Sequence, residues 1–167
     1  MASIRVRQAR DGDRDALAAL HEREWGGPLV VVHDTRYDLR DLPTLVAVDE
    51  TGGFAGALAY RVDAEGLEVV SLAASVSGNG AGTALLAAAE DAARAVGADR
   101  IWLVTTNDNL GALRFYQRRG LRIVAVDAGA VDRARAVKPT IPQVGADGIP
   151  LHDELRLARH LTVADRR

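Results

Sequence analysis

Apolar residues in this chain fall into two kinds of stretch: short runs that alternate or stay continuous, and longer ones that repeat every three or four positions. Ile4 to Gln8 alternates apolar and polar and predicts a first strand. Asp11 or Asp13 is placed to cap a helix that carries Ala16, Leu17 and Leu20 and runs to Glu24. Trp25-Gly26-Gly27-Pro28 stops it. Leu29 to Val32 reads as a short strand or a buried loop, and the polar segment His33 to Pro43 as a loop or short helix. Thr44 to Asp49, Phe54 to Val62 and Leu67 to Ala74 read as strands. Their links, Glu50-Thr51-Gly52-Gly53 and Asp63-Ala64-Glu65-Gly66, are short enough to imply an antiparallel meander.

Helical spacing returns from Thr83 to Val96, where Leu85, Leu86, Ala89, Ala92, Ala93 and Val96 form one stripe and Gly97 ends it. Ile101 to Thr105 predicts a buried strand, Asn109 to Arg119 a helix closed by Gly120, and Leu121 to Val126 another strand. Ala130 to Val137 favours a short helix, and the Pro- and Gly-rich Thr140 to Pro150 a loop. Leu151 to Leu161 fits either period; the strand is favoured because Ile149-Pro150 suits an extended entry. No repeat, low-complexity stretch or linker divides residues 1–167, so a single domain is expected.

One junction carries chemistry. Between the Leu67 strand and the Thr83 helix stand Gly78, Gly80 and Gly82, separated only by Asn79 and Ala81. Glycines there permit positive φ and close backbone approach, and the first helical N–H groups have no intrahelical partner. With about half a positive charge from the helix dipole, such a turn suits a phosphate. A tight connection without a ligand is the alternative that the spacing alone leaves open. The run lacks the lysine of a P-loop and the G-x-G-x-x-G spacing of a dinucleotide fold.

Composition narrows the classes. A formal net charge of −2 argues against a nucleic-acid binder. Zero cysteines exclude disulfides and thiolate metal sites, and fit a reducing cytoplasm. Four scattered histidines show no ligand spacing, so no metal is expected. The start has no apolar leader and no run reaches membrane-spanning length, so a soluble cytoplasmic protein is expected.

The stretch Asn109-Leu110-Gly111-Ala112-Leu113-Arg114-Phe115-Tyr116-Gln117-Arg118-Arg119-Gly120-Leu121 has the form N-x-x-A-x-x-F-Y-x-x-x-G-L. Following the Gly80/Gly82 turn in order, it resembles the second half of the acetyl-CoA site of the GNAT N-acetyltransferase family. The likeness runs from Thr44 to Val126, and more loosely over the first strand and helix. It implies an α/β (α+β) fold: a mixed, mainly antiparallel sheet splayed between two central parallel strands and flanked by helices. It implies acetyl-CoA as donor, its pyrophosphate on the amides of Gly78, Asn79, Gly80, Ala81, Gly82 and Thr83. The pantetheine arm would lie on the backbone of Leu72, Ala73 and Ala74. Asn109 would contact the cofactor or fix the turn beside it, and Tyr116 would be general acid to the departing thiolate. Tyr116 also reads as a core aromatic and Asn109 as a helix cap. Ser77 departs from the pattern, which usually has Gln or Arg there, and this puts a side-chain contribution to pyrophosphate binding in doubt.

An amine acceptor arrives protonated near neutral pH and must lose that proton. Glu68, the one acid within the apolar run ahead of the glycine turn, is the nominated base; the other reading puts it at the strand's exposed start. By resemblance the loop after the first helix and the last strands line the acceptor cleft. This nominates Trp25, His33 and Tyr37, with Asp34, Arg36, His152, Asp153 and Glu154 as further polar groups. Arg114, Arg118, Arg119 and Arg122 read as a solvated helix face, with the 3′-phosphate of the cofactor as the other option. The expected function is acetyl transfer to a primary amine of a small molecule by direct attack, since no cysteine is there to carry an acetyl-enzyme. Protein N-termini or lysines are the alternative acceptors, and a non-catalytic acetyl-CoA sensor or interaction module the alternative class. Homodimers are common in the family, and the resemblance carries that expectation.

Overall fold

The computed structural model describes residues 3–76 and 78–161. In chain order the elements are β1 (Arg5–Gln8), α1 (Arg14–Trp25), β2 (Leu29–Val32), β3 (Thr35–Asp38), β4 (Thr44–Val48), β5 (Phe54–Asp63), β6 (Gly66–Ala74) and α2 (Ala81–Ala95). They continue with β7 (Arg100–Thr106), α3 (Leu110–Arg118), β8 (Arg122–Asp127), α4 (Ala130–Val137) and β9 (Glu154–His160). The architecture is mixed α/β, a mainly antiparallel sheet that includes parallel strands and is flanked by helices. Contacts divide the described residues into two compact units: residues 3–29, 38–76, 78–101 and 161, and residues 30–37 and 102–160.

In the first unit β1, β4, β5 and β6 form consecutive antiparallel pairs, the meander that the short turns imply. The register sets Val46 against Ala57 and Leu58 against Leu72. Val46, Leu58, Leu67, Leu85 and Ala89 are fully enclosed, so the Leu85/Leu86/Ala89/Ala93 stripe of α2 is the buried side of that helix. On α1, Leu17, Leu20 and Trp25 pack with Phe54, Ala57 and Ala73. Gly26 ends α1 in the left-handed region (φ 72°), its N–H donating to the Glu22 carbonyl. The start of α1 differs from expectation. A 3₁₀ turn over Asp11–Asp13 precedes it, and Asp13 does not cap the helix with its side chain. Its carboxylate instead takes two hydrogen bonds from Arg7, at 2.7 and 2.9 Å, and one from the Arg10 amide. A guanidinium is a stronger partner than a neutral helix N–H, so the ion pair wins.

The second unit holds a surprise of pattern. The polar segment after Val32 is neither loop nor helix at first: Thr35–Asp38 pairs with Leu29–Val32 as a hairpin, followed by a 3₁₀ turn over Leu39–Asp41. His33 and Asp34, at φ 40° and 58°, supply the two left-handed positions of its two-residue turn. Without glycine at either position, that turn gave no sequence signal. The remaining strands run in the order β7, β9, β8, with Asp127 opposite Glu154 and Val126 opposite Leu155. The tail is therefore a strand, as the Ile149-Pro150 entry suggests.

Candidate functional site

In the turn after β6, Gly78 and Gly80 take the expected left-handed backbone, whereas Gly82 lies inside α2, which begins at Ala81 rather than at Thr83. Gly78 and Gly80 stand at φ 83° and 86°, and a Cβ on either would meet no protein atom within 4 Å. Among the described residues nothing beyond their chain neighbours fills the space that these glycines leave, so their lack of side chain serves backbone conformation and access rather than internal packing. Gly80 is the N-cap of α2 and, having no side chain, contributes no cap of its own. The Asn79 carboxamide oxygen accepts the Ala81 N–H at 3.0 Å, which folds the turn onto itself. A helix start behind two open glycines, with the Ala81 amide alone taken by Asn79, has the form of an anion cradle. Leu72 and Ala74 are half-buried and Ala73 is buried on the strand that leads in. Ser77 lies outside the described residues.

Glu68 is not at an exposed strand end. It is 1 % exposed, on β6 opposite Arg61 of β5, whose Nη1 stands 3.4 Å from Oε1. Arg61 also pairs with Asp63 at 2.7 Å. The turn at 63–66 closes the ladder two pairs further on, after Val62–Leu67 and Asp63–Gly66, so Glu68 lies inside the paired part of β5 and β6.

In the second unit the N-x-x-A-x-x-F-Y stretch forms α3 and the turn before it. Asn109 is the N-cap, its Oδ1 accepting the Ala112 N–H at 3.2 Å. Tyr116 is 7 % exposed and meets Phe115 edge-on at 5.1 Å. Its hydroxyl makes no hydrogen bond among the described residues, and burial pushes its pKa up, so the phenol keeps its proton at neutral pH. Arg119 departs from the solvated-face reading: it stacks on Phe115 at 3.7 Å and donates to the Phe115 carbonyl. Arg114, Arg118 and Arg122 are exposed.

His33 and Tyr37 are brought together. Tyr37 Oη lies 3.3 Å from His33 Nε2, Thr35 Oγ1 3.2 Å from Nδ1, and the His33 ring 5.4 Å from that of Trp102. The tail adds Glu154, 4 % exposed, whose Oε1 accepts the His33 N–H at 2.9 Å; burial raises its pKa. His152 and Asp153 do other work, His152 beside Asp132 and Asp153 accepting the Gly129 N–H. Asp34 is tied to Arg133 at 2.9 Å. Trp25 sits in the first unit against the α1 core. Nothing in the sequence separated Glu154 from its polar neighbours; alternation along β9, which puts Glu154 and Arg156 on one face, is the signal that could have.

A model of the acetyltransferase (GNAT) family matches residues 14–121, and the chain belongs to that family. It is an acyltransferase of that type, and acetyl-CoA, the family's donor, fits a turn whose glycines leave open space beside the start of α2. The uncharacterized protein YdhI of Bacillus subtilis (strain 168) is 37 % identical over 137 residues, covering 82 % of this chain and 86 % of that one. The streptothricin acetyltransferase of Streptomyces lavendulae is 35 % identical over 92 residues, 53 % of this chain and 49 % of its own. Among solved structures, a Bacillus subtilis acetyltransferase in complex with CoA superposes with a TM-score of 0.69 at 20 % identity, over 96 % of this chain and all of the other.

Proposed function

We propose that the protein transfers the acetyl group of acetyl-CoA to a primary amine of a small molecule by direct attack in a ternary complex. The observation that carries this reading is the glycine turn, where Gly78 and Gly80 leave open space beside the start of α2. The amides of residues 78–83 take the pyrophosphate, and the β6 backbone at Leu72, Ala73 and Ala74 takes the pantetheine arm. Asn109 holds the turn before α3 and Tyr116 is the acid. The acceptor nitrogen bonds to the acetyl carbon, the carbon–sulfur bond breaks, and the leaving thiolate takes the Tyr116 proton. The proton lost by the amine goes to Glu68, directly or through water. Trp25, His33 and Tyr37 are assigned to the acceptor. A small amine is favoured by the likeness to a streptothricin acetyltransferase.

The lack of cysteine supports a cytoplasmic setting. A homodimer is supported by β8, an edge strand with Ile123, Val124 and Val126 exposed. Titration calorimetry with acetyl-CoA and a thiol-release assay over a panel of small amines and peptides test the reading. Binding followed by amine-dependent thiol release is expected. Release only with peptides would move the acceptor to proteins, and binding with no release from any amine would leave a sensor. No binding overturns the reading.

A further inference from the structure

A cavity of about 670 Å³ opens in the first unit between α1 and residues 39–44. That size lies within the range that small-molecule sites occupy. It is set off from the glycine turn. Thr44 on its wall begins β4 and is paired through Ala59 with Ser71, whereas the turn begins past Ala74.

His21 lines this cavity and is 5 % exposed, yet neither ring nitrogen has a hydrogen-bond partner among the described residues. The ring nitrogens are not closed off by protein, so the imidazole presents free hydrogen-bonding capacity to the cavity. Burial holds its pKa below the ordinary histidine value, so near neutral pH the ring is uncharged and offers one donor and one acceptor. Toward the other end of α1 stand Arg10 and Arg14, and Arg14 makes no hydrogen bond or ion pair among the described residues. Arg40 on the facing segment is already held by Asp38 at 2.6 Å. Between the two ends the wall is apolar, with Leu17, Leu39 and Pro43. Asp11 and Glu22 also border the cavity, which disfavours a ligand with several negative charges. From Arg14 to His21 the helix rises about 10 Å, at roughly 1.5 Å per residue.

We propose that this cavity binds an elongated small molecule with one carboxylate or phosphate head at Arg10 and Arg14, an apolar body on Leu17 and Leu39, and a hydroxyl or carbonyl bonded to His21. The site is independent of the acetyl-CoA cradle and stands whether or not the proposed transfer is confirmed.

The test is a titration of the full chain with 6-hydroxyhexanoate, with hexyl phosphate and, as cationic control, with hexylamine, followed through the His21 ring resonances and by calorimetry. One or both anions should shift the His21 resonances saturably in the millimolar range, and whichever binds more tightly names the head group. Arg14→Ala, an exposed position, should weaken that binding roughly tenfold, the loss of one charge-assisted contact. Acetyl-CoA affinity of the same variant, unchanged, shows that the fold and the cradle are intact. Unmoved His21 resonances with both anions, equal binding of hexylamine, or undiminished binding by Arg14→Ala would each overturn the proposal.

Discussion

Glu68 and Arg61 face each other across neighbouring strands, a carboxylate 1 % exposed with a guanidinium 3.4 Å away. Removing one partner of such a pair leaves the other charge uncompensated in a poorly solvated place. If Glu68 takes the proton of the acceptor ammonium, the penalty for its loss depends on how much acceptor is already neutral. Glu68→Gln should lower kcat/KM by about 10- to 100-fold at pH 7, and the gap should narrow toward pH 9 as free amine accumulates. Parallel pH profiles for the two proteins would remove Glu68 from the proton path.

Tyr116 is buried and its pKa is raised by that burial, so it enters the reaction protonated. Tyr116→Phe keeps the edge-on packing with Phe115 and removes only the hydroxyl, which has no internal partner to lose among the described residues. We expect kcat to fall by roughly one to two orders of magnitude with acetyl-CoA affinity nearly unchanged. Unaltered turnover in steady-state assays would rule out the acid role.

Gly80 shows two effects that can be separated. Its φ of 86° makes any β-branched residue costly, about 1–2 kcal/mol of stability, although no protein atom lies near a new side chain. Gly80→Ala carries most of that backbone cost with little bulk, whereas Gly80→Val adds methyl groups over the amides. Calorimetry should therefore find acetyl-CoA bound more weakly by the Val variant than by the Ala variant, while chemical denaturation finds both destabilised. Equal affinities would mean that phosphate does not approach this face.

Asp38 is held by Arg40 at about 2, well below the usual carboxylate value, the hydrogen bond from Arg40 being the main cause. A group whose folded pKa is depressed stabilises the fold above its unfolded pKa and loses that contribution as pH falls through the folded value. Stability measured by urea midpoints should thus decline between about pH 4 and pH 2, and Asp38→Asn should flatten that part of the curve. A decline unchanged by the substitution would assign it to other carboxylates, such as Asp13 beside Arg7 and Asp49 beside Thr51.

Much of the fold was legible because its signals are local. The stripe Leu85-Leu86-Ala89-Ala93 becomes the buried side of α2, and the turns at 50–53 and 63–66 deliver the antiparallel meander. Positive φ at Gly78 and Gly80 is permitted by residue type, although Gly82 beside them is helical. The His33–Asp34 turn was missed because it uses two residues with side chains in a conformation that usually calls for glycine. Their strained backbone is held by contacts such as the one between the His33 amide and Glu154, 121 positions away. Asp13 went to Arg7, six positions earlier, because the strand–turn geometry brings the guanidinium onto the carboxylate and a charged partner outcompetes a helix N–H.

By itself the sequence determined which segments become strand, turn and helix, and it carried the two motifs that mark an acetyltransferase, because periodicity, glycine and capping chemistry act within a few residues. Only the tertiary structure decided that Glu68 is enclosed and paired with Arg61, that Glu154 rather than its neighbours meets His33, and that His21 lines a cavity. Burial and charge pairing depend on what other parts of the chain bring to the same point in space, and that is set by register and packing.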